Sequence, residues 1–234
     1  MKTINVKVCR YNPETDSASF FQEFTEIEWA EDDSILDLLL TLKENYDSSI
    51  TFRYSCKCTI CGSCAMLING VAKHACVTKV NSLIDAGVIT IEPLKNFPII
   101  KDLVVDLEPL ITELRAVTPW LIRDHSNLPT QEYIIEPNKI SDTLQLLDKC
   151  TICGICHSDS VSLSKDLSLV TPIAMVKIRK FLLDPRDTLH DSRVKQLTEL
   201  GLLQHSTEWN GVCPKGIDLA NDVVIPLQKQ ETNK

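Results

Sequence analysis

Ten cysteines in a chain of 234 residues limit what this sequence can fold into more than any other feature. Cys9 stands alone, and the others form two groups: Cys56, Cys58, Cys61, Cys64 and Cys76, then Cys150, Cys153, Cys156 and Cys213. The first residues, "MKTINVKVCR", alternate apolar and polar side chains and lack the continuous apolar core of a signal peptide. Cysteines in a cytoplasmic chain bind metals more often than they form disulfides. The sequence therefore predicts two cysteine-ligated metal centres.

The first cysteine group has the spacing of a plant-type [2Fe–2S] centre. Such centres use C-x4-C-x2-C followed by one more distant cysteine. The ligands that this spacing predicts are Cys56, Cys61, Cys64 and Cys76. Gly62 and Ser63 lie between ligands and let backbone amides approach the sulfurs, where hydrogen bonds stabilise the more negative reduced cluster. Cys58 is then an extra thiol in the loop.

A second ligand pattern overlaps the first. Cys58, Cys61 and Cys64 have the C-x2-C-x2-C spacing of a cubane centre, and the "CTICG" of residues 58–62 recurs at 150–154. The plant-type pattern is favoured because it follows the element order of a β-grasp ferredoxin. Its distant cysteine is also predicted inside a strand and precedes no proline. A structural zinc site is the other alternative for both groups, but zinc ligands usually come as two pairs.

The second cysteine group has the spacing of a [4Fe–4S] centre. Its predicted ligands are Cys150, Cys153, Cys156 and, much later in the chain, Cys213. The last of these precedes Pro214, which matches the Cys-Pro signature of a remote fourth ligand. In two-cluster ferredoxins a further cysteine follows the third ligand and binds the other cluster, but Ser160 stands at that position here. The group therefore completes one cluster and not a second.

The order of the predicted elements indicates an α+β fold. Period-2 alternation in "INVKVCRY" and "FTEIEW" predicts a hairpin, and "SILDLLLTL" predicts a helix capped by Ser34. The buried stripe of this helix is Ile35, Leu38, Leu39 and Leu42. Short closing strands are predicted after the cysteine loop, in "AMLING", "HACVTKV" and "GVITIEPL". We therefore expect an N-terminal β-grasp plant-type ferredoxin domain over residues 1–102.

From about Asp106 the apolar period becomes helical. The segments "DLEPLITELRAV", "SDTLQLLDK" and "TPIAMVKIRKFLLD" predict helices, the last with Thr171 as N-cap and Pro172 at its first position. The inward face of that last helix is Ala174, Ile178, Phe181 and Leu182. We therefore expect an all-α ferredoxin-like domain over residues 103–234.

Charge and hydropathy exclude two classes of role. The net charge of −8 is wrong for a nucleic-acid partner, which needs a basic face. The longest apolar stretches are short or broken by charge, so the chain is not predicted to span a membrane. We expect a cytoplasmic protein.

Several longer motifs are spread along the chain. They are "RYNPE" at 10–14, "LLLTLKENYD" at 38–47, "RYSC" through "CGSC" at 53–64, "KDLVVDL" at 101–107, "PW" at 119–120, "DPRDTLHDSR" at 184–193 and "CPKG" at 213–216. With them the chain resembles the iron–sulfur subunit of succinate dehydrogenase and fumarate reductase over nearly its whole length. The resemblance implies the same two ligand sets. It also implies docking against a flavoprotein subunit, where succinate and fumarate are interconverted on FAD.

The chain departs from this family at a third cluster. The resemblance implies three more cysteines for a [3Fe–4S] cluster, at positions that are Ser160, Leu203 and Trp209 here. No cysteine occurs between Cys156 and Cys213. Serine binds iron weakly, and His157, Asp159 and His205 are possible substitutes, but leucine and tryptophan side chains cannot ligate iron. We therefore predict that the third cluster is absent.

These observations predict an electron-transfer subunit of a succinate dehydrogenase/fumarate reductase-type complex, acting through a [2Fe–2S] and a [4Fe–4S] cluster. In the family the third cluster is the last carrier before the membrane quinone. We therefore expect a non-standard acceptor, namely a membrane-anchor or peripheral subunit with its own clusters, or else a soluble carrier. The chain itself is expected at the membrane face within its complex. The alternatives are a ferredoxin-like module serving another flavoenzyme, and a structural subunit that conducts no electrons.

Overall fold

The computed structural model describes residues 2–123, 126, 139–166, 171–199 and 213–232. The chain divides into two units, Met1–Leu107 with Thr151–Ser158, and Glu108–Cys150 with Asp159–Lys234. A mixed sheet in the first and helices in both give an α+β fold, as predicted. The sequence did not predict that Thr151–Ser158 packs with the first unit. The reason is a set of long-range contacts that leave no trace in local periodicity.

A five-stranded mixed sheet forms the centre of the first unit, as far as its residues are described. Its strands are β1 (Lys2–Arg10), β2 (Phe20–Trp29), β3 (Ala65–Ile68), β4 (Val71–His74) and β5 (Val88–Glu92), and a separate pair is β6 (Ile99–Lys101) and β7 (Val104–Val105). The spatial order is β2-β1-β5-β3-β4, in which β1 and β5 are parallel and the other neighbours antiparallel. The predicted β1–β2 hairpin is confirmed.

The first helix, α1 (Ile35–Asn45), is confirmed together with its cap. Ser34 Oγ accepts a hydrogen bond from the Asp37 amide at 3.2 Å, and the Asp37 carboxylate accepts one from the Ser34 amide at 3.0 Å. This reciprocal capping box satisfies two amide donors at the start of the helix. The predicted stripe is buried to 1% exposure or less: Ile35, Leu38, Leu39 and Leu42. The core of the unit therefore lies between α1 and the sheet.

The prediction that Cys76 lies inside a strand is wrong. Strand β4 ends at His74, and the amides of Val77 and Thr78 donate to the His74 carbonyl at 3.4 and 3.2 Å. These bonds close a turn, which overrides the alternating pattern of "HACVTKV" because the backbone donors are used locally. Cys76 therefore sits in the turn that follows the β3–β4 hairpin.

A buried carboxylate, Asp102, joins three separate parts of the first unit. Its Oδ1 accepts hydrogen bonds from Arg10 Nε at 3.0 Å and the Tyr11 amide at 3.1 Å, and its Oδ2 accepts one from the Thr51 amide at 2.8 Å. Asp102 is only 1% exposed. Arg10 also donates to Asp47 at 2.8 Å, so the guanidinium is shared between two carboxylates. The group ties the end of β1 and the β6–β7 turn to the chain that enters the first cysteine loop.

Replacing Asp102 with asparagine is expected to lower the free energy of unfolding by about 1.5–3 kcal/mol, because one charged acceptor of a buried network becomes an amide donor. Chemical denaturation of the full chain measures the change. Glu23→Gln is the matched control, since Glu23 pairs with Lys7 at an exposed site. Exposed pairs contribute about 0–1 kcal/mol. Equal losses in the two variants would show that the Asp102 network adds no stability.

The regular elements in the described part of the second unit are helical. They are α2 (Glu108–Ala116), α3 (Lys139–Asp148), α5 (Val161–Lys165), α6 (Pro172–Leu183), α7 (His190–Glu199) and a π-helical stretch, Leu219–Val224, that continues into α8 (Ile225–Thr232). Helix α4 (Ile155–Ser158) belongs to the first unit. Thr171 caps α6 as predicted, and the predicted inward face is buried: Ala174, Ile178, Phe181 and Leu182. No described helix has the length and apolar character needed to cross a bilayer.

Arg193, at 1% exposure, makes a buried set of polar contacts inside the second unit. Its Nε and Nη2 donate to the two carboxylate oxygens of Asp187 at 3.0 and 2.9 Å. The guanidinium also donates to the carbonyls of Val117, Thr118 and Trp120, at 3.0 to 3.1 Å. One side chain of α7 thereby holds the backbone that follows α2.

Candidate metal centres

The first cysteine loop runs between α1 and β3 and surrounds the sulfur of Cys56 with backbone amides. The amides of Cys58, Ile60 and Cys61 donate to Cys56 Sγ at 3.4, 3.3 and 3.2 Å. Lys57 and Thr59 take positive φ values of 56° and 62°, which turn successive amides towards one side of the loop. Such a concave row of amides binds anions. These amide donors, that of Cys58 foremost, lower the pKa of the Cys56 thiol to about 6.

The β3–β4 hairpin brings Cys64 and Cys76 together. Ala65 pairs with His74 in the antiparallel register, and the Ala75 amide donates to the Cys64 carbonyl at 3.0 Å. The thiols of Cys64 and Cys76 interact with each other, and Cys64 also lies within electrostatic range of Cys61. Burial, with the neighbouring Cys76 sulfur, raises the pKa of Cys64 to about 12. Iron binding there must displace a proton from a thiol that is otherwise neutral.

The structure thus brings the four predicted ligands of the plant-type pattern into one group. Cys56 interacts with Cys61 through its side chain, and the hairpin supplies Cys64 and Cys76. Three amides aimed at one sulfur suit a cluster whose reduced form gains negative charge. This donor set fits a [2Fe–2S] cluster. Among the described residues, no three or more His, Cys, Asp or Glu side chains converge on a single-ion site.

Cys58 lies beside this group without being buried in it. Its thiol is a hydrogen-bond donor to Cys56, and this bond is the main reason why the pKa of Cys58 is raised. Its side chain is exposed, as is the neighbouring Ile60. Gly62 and Ser63, whose amides were expected to approach the sulfurs, act differently. Ser63 contributes its hydroxyl, which lies 2.9 Å from Cys61 Sγ. The amides that bind sulfur include those of Cys58, Ile60 and Cys61 on Cys56 and that of Cys76 on Cys64.

The second cysteine group is distributed over both units. Cys153 and Cys156 belong to the first unit, and Cys150 and Cys213 belong to the second. All four side chains are partly exposed. The Cys150 amide donates to the Leu147 carbonyl at 3.3 Å at the end of α3, and the Cys213 carbonyl accepts from the Gly216 amide at 2.9 Å. All ten cysteines lie in described parts of the chain, and none is in a disulfide.

The segment that carries Cys153 and Cys156 is clamped to the loop after β5. Asn96 Nδ2 donates to the His157 carbonyl at 2.9 Å, and His157 Nε2 lies 2.9 Å from the Asn96 carbonyl. Ser158 Oγ accepts from the Lys95 amide at 2.9 Å, and the rings of Phe97 and His157 stack at 4.2 Å. Sequence reasoning did not identify these contacts, because no periodicity or motif links the two segments. Of the two ring nitrogens of His157, Nε2 is thus used to hold a backbone carbonyl.

Ser160 stands where the family has the first [3Fe–4S] cysteine, and it has a structural role here. Its side chain is buried, and its Oγ accepts a hydrogen bond from the Leu163 amide at 3.2 Å as the N-cap of α5. Ser, Thr, Asp and Asn are the residues that cap helices best in this way. The other two positions, Leu203 and Trp209, lie outside the described residues.

Known proteins resemble this chain over nearly its full length. Residues 5–112 match the family described as "2Fe-2S iron-sulfur cluster binding domain". The fumarate reductase iron–sulfur subunit of Mycobacterium tuberculosis is 34% identical over 228 residues, which cover 95% of this chain and 91% of that protein. The mitochondrial succinate dehydrogenase [ubiquinone] iron–sulfur subunit of Dictyostelium discoideum is 28% identical over a match that covers 92% of this chain and 78% of that protein.

A solved structure shares the fold. A chain of the Mycobacterium smegmatis Sdh1 complex in the apo form superposes with a TM-score of 0.87 at 23% identity, covering 99% of this chain and 96% of its own. At that identity the similarity establishes the fold alone. The sequence relatives establish more, because 34% identity extends over both units. The chain belongs to the family of fumarate reductase and succinate dehydrogenase iron–sulfur subunits.

Proposed function

We propose that this chain is the electron-transfer subunit of a succinate dehydrogenase/fumarate reductase-type complex, with a [2Fe–2S] and a [4Fe–4S] cluster and no [3Fe–4S] cluster. It relays electrons between an FAD-bearing flavoprotein subunit and an acceptor or donor. Membership of the family supports the role in such a complex. The observation that carries the proposal is the amide-lined sulfur of Cys56 in the first cysteine loop, with Cys61 in contact with it and with Cys64 and Cys76 paired beside Cys61.

The cluster ligands form two sets in this proposal. The [2Fe–2S] ligands are Cys56, Cys61, Cys64 and Cys76, and the [4Fe–4S] ligands are Cys150, Cys153, Cys156 and Cys213. The first set belongs to a β-grasp plant-type ferredoxin domain over 1–102. The second set belongs to an all-α ferredoxin-like domain over 103–234, of which the segment Thr151–Ser158 packs with the first unit. Support for the second set is the C-x2-C-x2-C spacing and the Cys-Pro pair at 213–214.

The absence of the third cluster is supported by the position of Ser160. Its hydroxyl is engaged as a helix cap, as an ordinary structural serine is. No cysteine between Cys156 and Cys213 could replace it. Because the usual last carrier is missing, the electron partner of this chain is a membrane-anchor or cluster-bearing subunit of a non-standard type. We place the complex on the cytoplasmic side, peripheral at the membrane face.

The chain contributes hydrogen-bond donors to the first centre. A bound [2Fe–2S] cluster supplies one-electron chemistry. The three amides on Cys56 and the hydroxyl of Ser63 beside Cys61 favour the form with more negative charge. These donors therefore raise the reduction potential above that of an unsupported cluster.

Replacing Ser63 with alanine is expected to lower the reduction potential of the [2Fe–2S] cluster. A single hydrogen bond contributes about 0.5–1.5 kcal/mol, which corresponds to roughly 20–60 mV for one electron. A redox titration followed by EPR measures the shift. Ser82→Ala is the matched control, because the Ser82 hydroxyl donates at 2.7 Å to the Lys79 carbonyl and touches no sulfur. A potential that is the same in both variants would mean that Ser63 does not act on the cluster.

Co-purification tests the proposed function. The chain, tagged and expressed in its native cells, is expected to bring down a flavoprotein with bound FAD, and succinate is expected to reduce the chain's clusters. A flavoprotein that is reduced by another substrate and not by succinate would indicate a ferredoxin-like module for a different enzyme. Succinate oxidation without reduction of the clusters would indicate a structural subunit that conducts no electrons.

A further inference from the structure

Gly62 is in direct contact with the second cysteine motif. A Cβ built on Gly62 would lie 2.7 Å from Cys153 Cβ, 3.0 Å from Cys153 Cα and 3.3 Å from the Thr151 carbonyl oxygen. Distances below 3.0 Å between such atoms are essentially never found. Gly62 also has φ of +71°, which glycine adopts without steric cost. The missing side chain therefore lets the first cysteine loop lie against Cys153.

Positive φ alone does not explain this contact. Gly70, Gly87 and Gly216 have φ of +76°, +70° and +78°, and a Cβ on any of them would meet nothing within 4 Å. At these three positions glycine provides the positive φ of a turn and no close packing contact. Gly62 is thus distinguished by what lies opposite it and not by its backbone conformation.

Both sides of the contact are fixed within the first unit. On one side, the amides that bind Cys56 Sγ hold the loop up to Cys61. On the other side, Asn96 and the stacked Phe97 and His157 rings hold the segment that follows Cys153. Cys61, next to Gly62, is a proposed ligand of the [2Fe–2S] cluster, and Cys153 is a proposed ligand of the [4Fe–4S] cluster.

A cavity of about 120 Å³ borders the contact. Its lining includes Arg53, Ser63, Ile152 and Cys153. Space of this size lets Cys153 move aside when an atom is added at Gly62. A small substitution at Gly62 is therefore expected to open the contact while the unit stays folded.

We propose that Gly62 is a positioning residue that sets the approach of the two clusters, by allowing the loop of the [2Fe–2S] ligands to pack directly on Cys153. The inference rests on the proposed function, since it needs both clusters. Electronic and magnetic coupling between two redox centres falls steeply with their separation and with gaps in the packing between them. A side chain at Gly62 acts on that coupling by displacing the segment that carries Cys153, and it removes no cluster ligand.

The test compares Gly62→Ala with Gly70→Ala in the full chain loaded with iron and sulfide. The two variants introduce the same positive-φ strain, but only the first meets Cys153. Both are expected to keep the wild-type iron content and the EPR signals of each cluster. Wild-type protein with both clusters reduced is expected to show a magnetic interaction between them. Gly62→Ala is expected to weaken this interaction, and Gly70→Ala to keep it at wild-type strength. An unchanged interaction in Gly62→Ala, or an equal loss in Gly70→Ala, overturns the proposal.

A second variant covers the case in which Gly62→Ala takes up no iron. Asn96→Ala removes the hydrogen bonds from Asn96 Nδ2 to the carbonyls of His157 and Ser158 without changing either cysteine loop. It is expected to weaken the same magnetic interaction while the iron content stays at the wild-type level. An interaction of wild-type strength in Asn96→Ala then overturns the proposal. If the wild-type protein lacks the EPR signal of one cluster, the proposed function itself is wrong. This outcome is distinct from a failure of the Gly62 proposal, in which both cluster signals are present.

Discussion

Replacing Cys56 with alanine is expected to abolish the [2Fe–2S] cluster, while Cys58→Ala keeps it. Cys56 accepts three amide hydrogen bonds and is ionised near neutral pH, because those donors lower its pKa to about 6. Thiolate is the form that binds iron. Cys58 is an exposed donor to that sulfur, and its own pKa is raised by the contact. Iron analysis should give about four irons per chain in Cys56→Ala against about six in Cys58→Ala and in the wild type.

The two variants form a matched pair because they remove the same atom, two residues apart in one loop. They also decide between the two ligand patterns of the first group. Loss of iron in Cys58→Ala, with retention in Cys56→Ala, would establish the C-x2-C-x2-C pattern and a cubane at this site. Loss in both would mean that Cys58 is needed to assemble the cluster even though it is not one of the four ligands.

Replacing Arg193 with methionine is expected to lower the free energy of unfolding by about 3–5 kcal/mol, the usual cost of breaking a buried ion pair. Methionine keeps an unbranched apolar side chain and removes the five donors of the guanidinium group. Asp187 would lose both of its guanidinium bonds, and the carbonyls of Val117, Thr118 and Trp120 would lose a donor. Chemical denaturation of the loaded full chain, followed by circular dichroism, measures the change.

Lys195→Met is the control for Arg193, on the same helix. Lys195 pairs with Glu199 at 3.2 Å on an exposed face, where an i,i+4 pair contributes about 0.3–0.5 kcal/mol. If Arg193→Met lowers the free energy of unfolding no more than Lys195→Met does, the buried Arg193 network does not stabilise the fold as assigned.

The destabilisation by Arg193→Met is also expected to depend on pH. Burial alone would raise the pKa of Asp187, but Arg193 and the amides of Ile122 and Leu189 outweigh it and hold the pKa below the usual 3.8. Its stabilising effect is therefore complete above pH 3.8 and is lost only as pH falls through the lower folded value. Without Arg193, only the amides of Ile122 and Leu189 oppose burial, so the pKa of Asp187 is higher than in the wild type. The loss of stability should then shrink as pH falls, because the unpaired carboxylate takes up a proton at a higher pH than the paired one.

Much of the first unit could be predicted from local patterns. Alternation identified the β1–β2 hairpin, and the helical stripe of α1 is buried at each predicted position. Ligand spacing predicted the [2Fe–2S] ligands, and in the structure Cys56 interacts with Cys61 and Cys64 with Cys76. The exception is Cys76, where a turn after β4 interrupts an alternating pattern. Short alternating runs do not distinguish the end of a strand from its continuation when the decisive hydrogen bonds are local.

Contacts between distant segments could not be predicted. The motifs "RYNPE" and "KDLVVDL" contain Arg10 and Asp102, yet only the folded chain reveals that these two side chains form a buried ion pair. The packing of residues 151–158 on the loop that contains Asn96 is of the same kind. Ser160 illustrates a third limit. The sequence indicates that a cysteine is missing there, whereas its role as the cap of α5 depends on the backbone.

The shortened set of clusters is tested most directly by EPR, with iron and acid-labile sulfide counts, on anaerobically purified protein as isolated and after reduction with dithionite. The account predicts about six irons per chain, no oxidised [3Fe–4S] signal, and the signals of one [2Fe–2S] and one [4Fe–4S] cluster after reduction. A [3Fe–4S] signal that persists under strictly anaerobic purification, together with iron above that number, would contradict it. Ligands other than cysteine would then have to complete a third cluster near Ser160.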